Sequence, residues 1–185
     1  MDLSLIIISV VVLLIIYIII IFNSLITLKN RVENGWAQIE TQLQRRYDLI
    51  PNLIETVKGY ARHESELFEK ITAARANTLN AGSVNEKIQA DNAITSTLKS
   101  LFAVAEAYPD LKANTNFMDL QRQLQAIETD IAQSRKYYNG VVKEMNNKVE
   151  MFPSNIFAGI FGFVKYPFFT VADETERENV KVSFS

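Results

Sequence analysis

Hydrophobic side chains are distributed along this chain in two different patterns. Residues 3–22 read LSLIIISVVVLLIIYIIIIF, an apolar run that contains no charged residue. After residue 22 the apolar residues instead recur every three or four positions, with polar and charged residues between them. The first pattern is typical of a helix that is apolar on every side, and the second of helices with one buried face. The chain is therefore predicted to be all-α.

The length of the N-terminal run predicts a transmembrane helix. A helix rises about 1.5 Å per residue, so about 20 residues cover the roughly 30 Å of hydrocarbon in a bilayer. A buried core helix is the alternative, but a chain this short has no core that could surround a helix apolar on every side. A cleaved secretory signal also fits poorly, because only Met1 and Asp2 precede the run and residues 23–27 lack a small-x-small cleavage pattern. We therefore expect the helix to remain as an anchor.

Charges that flank the run predict its orientation. No Lys or Arg precedes it, whereas Lys29, Arg31, Arg45 and Arg46 follow it. Basic residues favour the cytoplasmic side of a membrane. We expect a single-pass protein with its N-terminus outside and its body in the cytoplasm.

The first periodic stripe continues the anchor into the aqueous domain. It runs from Leu25 to Leu43, and we expect one helix to extend to about Arg46. Pro51 removes an amide donor and clashes with the preceding turn of a helix. A kink or tight turn is therefore predicted at residues 47–50.

Two further helices are predicted between residues 53 and 108. A second helix covers residues 53–74 and should fade over residues 77–83, which are rich in loop formers. A third begins after Ser83 and ends before Pro109, because the residue that precedes a proline avoids the α region.

The fourth helix has the most regular stripe of the periodic part. Apolar residues step by three and four from Phe117 to Phe152, and Thr115 or Asn116 is the expected cap. Pro153 should end this helix. A sustained seven-residue repeat favours left-handed, coiled-coil-like packing against other helices.

A short aromatic segment follows. Residues 156–169 read IFAGIFGFVKYPFF, which is too short to span a bilayer. Either the segment is tucked over the end of the helices, or it is an exposed apolar patch for a partner subunit or the membrane surface. Residues 173–178 should form a solvated acidic end, and residues 180–184 alternate weakly and could add a short strand. The predicted domains are a transmembrane anchor (1–24), a helical bundle (25–154), and an aromatic-rich segment with an acidic tail (155–185).

Composition narrows the chemistry that this chain can carry. It has no cysteine, so it lacks disulfides, thiolate metal ligands and a thiol nucleophile. Lys plus Arg is 19 and Asp plus Glu is 21, and this balance gives no basic excess for nucleic acid. The single histidine, His63, belongs to no Glu-x-x-His pair and is expected at the surface, so a di-metal site of the helical-bundle kind is not predicted. We predict no catalytic residue, no cofactor-binding residue and no metal ligand, and the chain is not expected to be an enzyme.

Several charged residues nevertheless fall on or beside the apolar stripes. Ion pairs and caps that fix the register of the helices are the favoured interpretation, and a buried polar site for a ligand or partner is the alternative. The residues concerned are Arg45, Arg46, Asp48, Glu106, Glu128 and Arg135.

Three blocks of the sequence together form a distinctive pattern. They are KNRVENGW (29–36) with QLQRRYDLIPNL (42–53) and VKGYA (57–61); EAYPDLKAN (106–114) with Phe117; and Tyr138-Asn139 with Phe152-Pro153-Ser154. These blocks resemble the LemA family of bacterial membrane proteins, and the resemblance covers roughly residues 22–154. Phe22 and Gly35 depart from the residues usual in that family.

The resemblance implies a single N-terminal span in the bacterial inner membrane and a cytoplasmic, antiparallel bundle of four helices. It implies no catalytic residues. One branch of the family is associated with magnetosome membranes, which suggests a role in membrane organisation.

Two functions are compatible with these predictions. The first is a membrane-anchored helical scaffold that self-associates into a homo-oligomer. The second is an adaptor that presents its bundle to a cytoplasmic or membrane partner, such as a protease or a signalling protein. The expected partners are therefore the lipid bilayer, other copies of the chain, and in the second case another protein. A metal-dependent enzyme is the least favoured alternative.

Overall fold

A computed structural model describes residues 3–170 of the chain. Within that range the chain is helical and contains no strand, which confirms the all-α prediction. The tail predictions for residues 173–184 lie outside the described residues. The helices are α1 (Leu3–Lys58), α2 (Ser65–Asn80), α3 (Val84–Ala105), α4 (Pro109–Lys112), α5 (Thr115–Glu150) and α6 (Ser154–Ile160).

Helix α1 runs through Pro51 without interruption, so the helix end predicted near Arg46 and the tight turn predicted at residues 47–50 are wrong. The alternative of a kink stays a prediction. A proline deprives the carbonyl four residues earlier of its helical donor, and here that carbonyl belongs to Tyr47. The Arg75 side chain replaces the missing donor, because its Nε donates to the Tyr47 carbonyl oxygen at 2.9 Å. The helix therefore continues to Lys58.

The second helix is correspondingly displaced from its predicted position. Residues 53–58 belong to α1, and α2 begins only at Ser65, after a short turn in which the Tyr60 and Ala61 amides donate to the Val57 carbonyl. At its other end α2 continues to Asn80, through residues that were predicted to be a loop. Thr78 lies within these residues and is buried, so packing of this last turn favours the helix over the local preference for a loop. Its hydroxyl donates to the Arg75 carbonyl at 2.6 Å.

Helix α3 begins where the sequence predicts. The Ser83 hydroxyl accepts from the Glu86 amide, while the Glu86 carboxylate accepts from the Ser83 amide, a reciprocal capping box. The carboxylate also accepts from the Gly82 amide at 2.8 Å. These backbone donors, that of Gly82 first, lower the pKa of Glu86. Helix α3 ends at Ala105, before Pro109 as predicted, and packs against α2.

Helix α5 is capped one residue earlier than predicted. The cap is Asn114, whose Oδ1 accepts from the Phe117 amide at 3.0 Å, and not Thr115 or Asn116. The Asn114 amide group also donates to the Tyr60 hydroxyl at 2.9 Å, and this second contact orients the cap. The predicted stripe is buried at seven described positions of α5, whereas Phe152 at its far end is 79% exposed. Those buried residues are Phe117, Leu124, Ile127, Ile131, Tyr138, Val141 and Met145, and Val142 beside them is buried as well.

The described residues form two compact units, and α1 and α5 each contribute to both. The N-terminal unit consists of residues 3–41 and 131–168, and the central unit of residues 42–130 with residues 169 and 170. The predicted functional domains, with boundaries at residues 24 and 154, stay a prediction. The core of the N-terminal unit includes Leu25, Val32, Ile39, Ile131, Tyr138, Val142, Met145 and Ala158; that of the central unit includes Ile50, Val57, Ile71, Ile94, Leu101 and Leu111.

Candidate functional site

The central unit buries an ion pair. Arg46 on α1 and Asp91 on α3 are both fully buried, and the guanidinium Nη2 contacts the Asp91 carboxylate directly. An isolated charge in a protein interior is costly, so buried charges occur with partners. The pair therefore links the two helices at the level of Arg46.

Further polar groups extend this pair into a network over four helices. Arg46 Nη1 donates to Glu128 Oε1 on α5 at 2.9 Å and to the Thr95 hydroxyl at 3.3 Å. The Tyr47 hydroxyl donates to Asp91 Oδ1 at 3.3 Å. Arg75 connects helix α2 to the network through its hydrogen bond to the Tyr47 carbonyl, described above. We call these residues the arginine network: Arg46, Tyr47, Arg75, Asp91, Thr95 and Glu128.

The positions of Arg46, Tyr47 and Asp91 on their helices explain why these three residues of the network are buried. Arg46 and Tyr47 lie on the same side of α1 as the buried Leu43 and Ile50. Asp91 lies between Ile88 and Ile94 on the buried stripe of α3, at the spacing of a core residue. Opposite charges at core positions of α1 and α3 give these two helices one favoured register, because a shifted helix would leave a buried charge without its partner.

The N-terminal unit has a different cluster, built from neutral groups around Tyr138. The Tyr138 ring is 1% exposed and lies 5.6 Å from the Trp36 ring, between centroids. Its hydroxyl donates to the Pro167 carbonyl at 2.9 Å. Burial, followed by the nearby Tyr166 hydroxyl, raises the pKa of Tyr138 to about 12. The phenol therefore stays neutral and acts as a hydrogen-bond donor.

A pair of hydrogen bonds holds the chain that follows α6 against α5. Asn146 accepts from the Tyr166 amide at 2.9 Å and donates to the Tyr166 carbonyl at 3.0 Å. Burial, with a smaller contribution from the Glu33 carboxylate, raises the pKa of Tyr166.

Helix α1 is closely packed at Gly35, because a Cβ added there would lie 3.3 Å from the Tyr137 ring.

Among the charged residues singled out from the sequence, the structure brings Arg46 and Glu128 together. Arg45 reaches Asp130 at 3.7 Å on the surface, and Asp48 accepts from Gln44 at 2.8 Å. Arg135 belongs to the N-terminal unit, and Glu106 is exposed at the end of α3. Arg45, Arg46 and Glu128 each form an ion pair, which agrees with the favoured interpretation from the sequence.

Sequence reasoning missed Asp91, Thr95, Tyr47 and Arg75. For Asp91 a signal was available, since a carboxylate at an apolar position of a stripe calls for a buried cation. His63 is exposed, as predicted. Over residues 3–170, no group of three or more His, Asp and Glu side chains is arranged to hold a metal ion.

Helix α1 also carries the apolar run, which is the one stretch in the described range long and apolar enough to cross a bilayer. Only 6% of its most apolar window is buried. The run is therefore not a core helix of the described chain, and its side chains are available to lipid.

A model of the LemA family matches residues 35–184. The chain belongs to the LemA family. Protein LemA of Metamycoplasma hominis is 26% identical to it, over 87% of this chain and 74% of the relative. Magnetosome proteins MamQ 1 and MamQ 2 of Paramagnetospirillum magneticum are each 25% identical over 80% of this chain. The chain spans 64% of the length of these two magnetosome proteins. The resemblance predicted from the sequence is thus confirmed.

The blocks that identify this LemA chain carry residues with structural roles. Block 42–53 supplies Arg46 and Tyr47 to the arginine network, and block 106–114 supplies the cap Asn114. The third block supplies Tyr138 and Ser154, whose hydroxyls donate to backbone carbonyls. These LemA residues pair charges, cap helices and fix chain segments.

Proposed function

We propose that this LemA protein is a membrane-anchored helical scaffold that self-associates into a homo-oligomer and has no catalytic activity. The observation that carries the proposal is α1, one unbroken helix that contributes to both compact units and begins with an exposed apolar run. A helix that continues from lipid into a folded unit attaches that unit to the membrane.

Exposure of the run supports anchoring. Leu3, Leu13 and Ile20 are 73%, 66% and 60% exposed, and nearly every side chain between them is exposed too. Covering one large apolar side chain is worth about 1.5–3 kcal/mol, so a surface of this extent favours a lipid environment. The basic residues Lys29 and Arg31 after the run support an outside N-terminus and a cytoplasmic body in the bacterial inner membrane.

The proposed architecture is an antiparallel four-helix bundle with coiled-coil-like packing. Contacts inside the N-terminal unit support the antiparallel part. Tyr17 of α1 meets Phe157, whereas Gly35, further along α1, lies beside Tyr137. Later residues of α1 thus meet earlier residues of the other segment.

Tethering to one membrane favours self-association. Copies tethered to one membrane share a plane, which raises their effective concentration. Relatives named as magnetosome proteins suggest, by analogy, that this chain organises membrane-associated material. The arginine network supports a structural role over a catalytic one, since its buried charges contact each other.

A second candidate, an adaptor for another protein, is favoured by a cleft in the central unit. The cleft has a volume of about 660 Å³ and combines an apolar floor at Phe68 and Ala76 with the charged residues Lys58, Arg62 and Glu69. An apolar floor with charged edges suits a side chain presented by a partner.

Cross-linking in the native membrane separates the two candidates. Because the chain has no cysteine, Leu79→Cys and Met118→Cys, both at exposed positions, provide single attachment points for a bifunctional maleimide. The scaffold predicts dimers of the chain from each single-cysteine variant at native expression levels, and larger adducts of the chain from the double variant that carries both cysteines. Monomers alone would contradict self-association, and a stoichiometric adduct with one foreign protein would favour the adaptor. The parent chain, which has no thiol, is the control.

A further inference from the structure

Helix α6 and its flanking residues pack against the end of the apolar run of α1. The Phe157 ring lies 6.4 Å from the Tyr17 ring, and the Phe161 ring lies 4.9 Å from the Phe22 ring, both edge to face. Phe163 adds a third contact with Phe22 at 6.1 Å. Half of the aromatic segment is therefore tucked against α1, as one of the two sequence interpretations predicted.

A second row of apolar side chains in the same segment remains exposed. Phe152, Ile156, Ile160 and Val164 are 79%, 51%, 70% and 66% exposed, and they recur every four residues. Ile156 and Ile160 share a helix face next to the one that carries Phe157 and Phe161. Helix α6 thus presents one apolar face to α1 and leaves another uncovered.

Side-chain contacts fix the segment in this position. The Ser154 hydroxyl donates to the Lys148 carbonyl at 2.7 Å, at the start of α6. Tyr166 and Pro167, beyond α6, are hydrogen-bonded to Asn146 and Tyr138 as described above. These hydrogen bonds before and after α6 hold its exposed row at a fixed position along the axis of α1.

That level coincides with the edge of the expected hydrocarbon region. Residues 3–22 of α1 rise about 30 Å, which is the thickness of the hydrocarbon, so the last turns at Tyr17 and Phe22 lie within it or at its boundary. Side chains that pack on Tyr17 and Phe22 share their depth. Aromatic side chains are also the residues preferred at this boundary.

We infer that α6 and its flanks insert into the boundary between head groups and acyl chains, on the cytoplasmic side of the membrane that α1 crosses. Phe152, Ile156, Ile160 and Val164 contact lipid chains there, as the apolar face of an interfacial helix does. The inference rests on the proposed anchoring by α1. Continuity of the exposed row with the lipid-facing run is what favours lipid over a second copy of the chain.

A groove beside this row fits the same environment. It has a volume of about 580 Å³, and its lining combines apolar residues such as Tyr17, Ile20 and Phe152 with the polar residues Glu144, Asn147 and Lys148. A lipid has the same two parts, an acyl chain and a charged head group. The groove therefore offers an acyl chain an apolar wall while Lys148 stays at head-group level.

Depth measurements on single-cysteine variants test the inference. The full-length chain is reconstituted into vesicles of phosphatidylcholine with a minority of phosphatidylglycerol and labelled with an environment-sensitive fluorophore. Ile156→Cys and Ile160→Cys report on the exposed row, and both positions are exposed, so the packed core is left intact. Val12→Cys reports on the run, and Leu79→Cys in the central unit is the aqueous control.

The inference predicts blue-shifted emission at positions 156 and 160, and loss of most of that emission when lipids carry a quencher near the head group. Position 12 should be quenched best by a quencher deep in the acyl region, and position 79 by neither. Quenching at 12 without quenching at 156 and 160 overturns this inference and leaves the anchor standing. Absence of quenching at 12 overturns the anchor and the inference with it. Emission at 156 that shifts with protein density and not with lipid quenchers identifies a second copy as the occupant, which also overturns the inference.

Discussion

The two compact units of this LemA protein stabilise their interiors with different polar groups. The central unit buries Arg46 and Asp91 at 0% exposure, whereas the N-terminal unit uses neutral hydroxyl and amide groups around Tyr138 and Asn146. A neutral hydrogen bond contributes about 0.5–1.5 kcal/mol, so its loss is moderate. Loss of Asp91 leaves the buried Arg46 charge with only the partly exposed Glu128 as a counter-charge, which costs several kcal/mol. Single substitutions should therefore affect the two units to very different extents.

The largest effect is expected from Asp91→Ala in the arginine network. Arg46 would then keep a buried charge without the carboxylate of Asp91, and the free energy of unfolding should fall by about 3–5 kcal/mol. Urea denaturation of the detergent-solubilised chain, followed by circular dichroism, measures it. The matched control is Asp119→Ala, because the Asp119–Arg122 pair has a 2.9 Å contact but is 59% and 76% exposed. Its loss should cost no more than about 1 kcal/mol.

Removing both charges of the buried pair tests whether the buried Arg46 charge causes the loss of stability in Asp91→Ala. The double variant Arg46→Met, Asp91→Leu replaces the pair with apolar side chains and should regain much of the stability lost in Asp91→Ala. If the double variant were as unstable as the single one, the buried charge would not be the source of the loss.

A smaller loss is expected for Gly35→Leu in the N-terminal unit. A Cβ at this position lies 3.3 Å from the Tyr137 ring and 3.5 Å from the Tyr138 Cα, so a large side chain must displace both. Overpacking of this kind costs about 1–3 kcal/mol. Gly35→Ala is the control, since its gain in helix propensity, up to about 1 kcal/mol, offsets the tight contact with a movable ring. Equal melting temperatures for the leucine and alanine variants would refute the close approach.

Arg75→Met tests whether the Arg75 side chain allows α1 to remain helical at Pro51. The substitution leaves the Tyr47 carbonyl without its donor, and an unsatisfied buried acceptor costs about 1–3 kcal/mol. Urea titration should show that loss in the parent chain and a much smaller one in a Pro51→Ala background, where the helix supplies its own donor. An equal loss in both backgrounds would show that Arg75 does not replace the missing amide.

The smallest effect is expected for Tyr138→Phe, which removes one neutral hydrogen bond worth about 1 kcal/mol. Its pH dependence is more informative. The pKa of Tyr138 is raised from 10.0 to about 12, so the folded state disfavours the ionised phenol. The stabilisation is complete below pH 10 and is lost as the pH rises through about 12. Denaturation midpoints in detergent should therefore fall over that range, and by less in Tyr138→Phe. Parallel pH profiles for the parent and the variant would count against a buried neutral Tyr138.

Features decided by neighbours along the chain could be predicted from the sequence, whereas features decided by distant contacts could not. The apolar run, the Ser83 cap and the end of α3 depend on adjacent residues, and they lie where predicted. Passage of α1 through Pro51 depends on Arg75, and the position of the α5 cap depends on Tyr60. Neither contact can be read from local propensity.

The arginine network shows the same division. Arg46 and Glu128 stood out because charged residues on or near an apolar stripe require partners. The identity of the main partner, Asp91, required knowing which faces of α1 and α3 meet. The faces that meet are set by tertiary packing and cannot be read from the sequence of either helix alone.

Labelling of single cysteines before and along α1 in intact cells tests whether this helix is anchored in lipid. Single cysteines replace Asp2, Val12 and Thr41 in the cysteine-free chain, and a membrane-impermeant maleimide is added before or after the inner membrane is opened. A membrane-spanning α1 predicts labelling at position 2 in intact cells, labelling at position 41 only after opening, and protection at position 12 throughout. Ready labelling at position 12 would contradict a helix anchored in lipid.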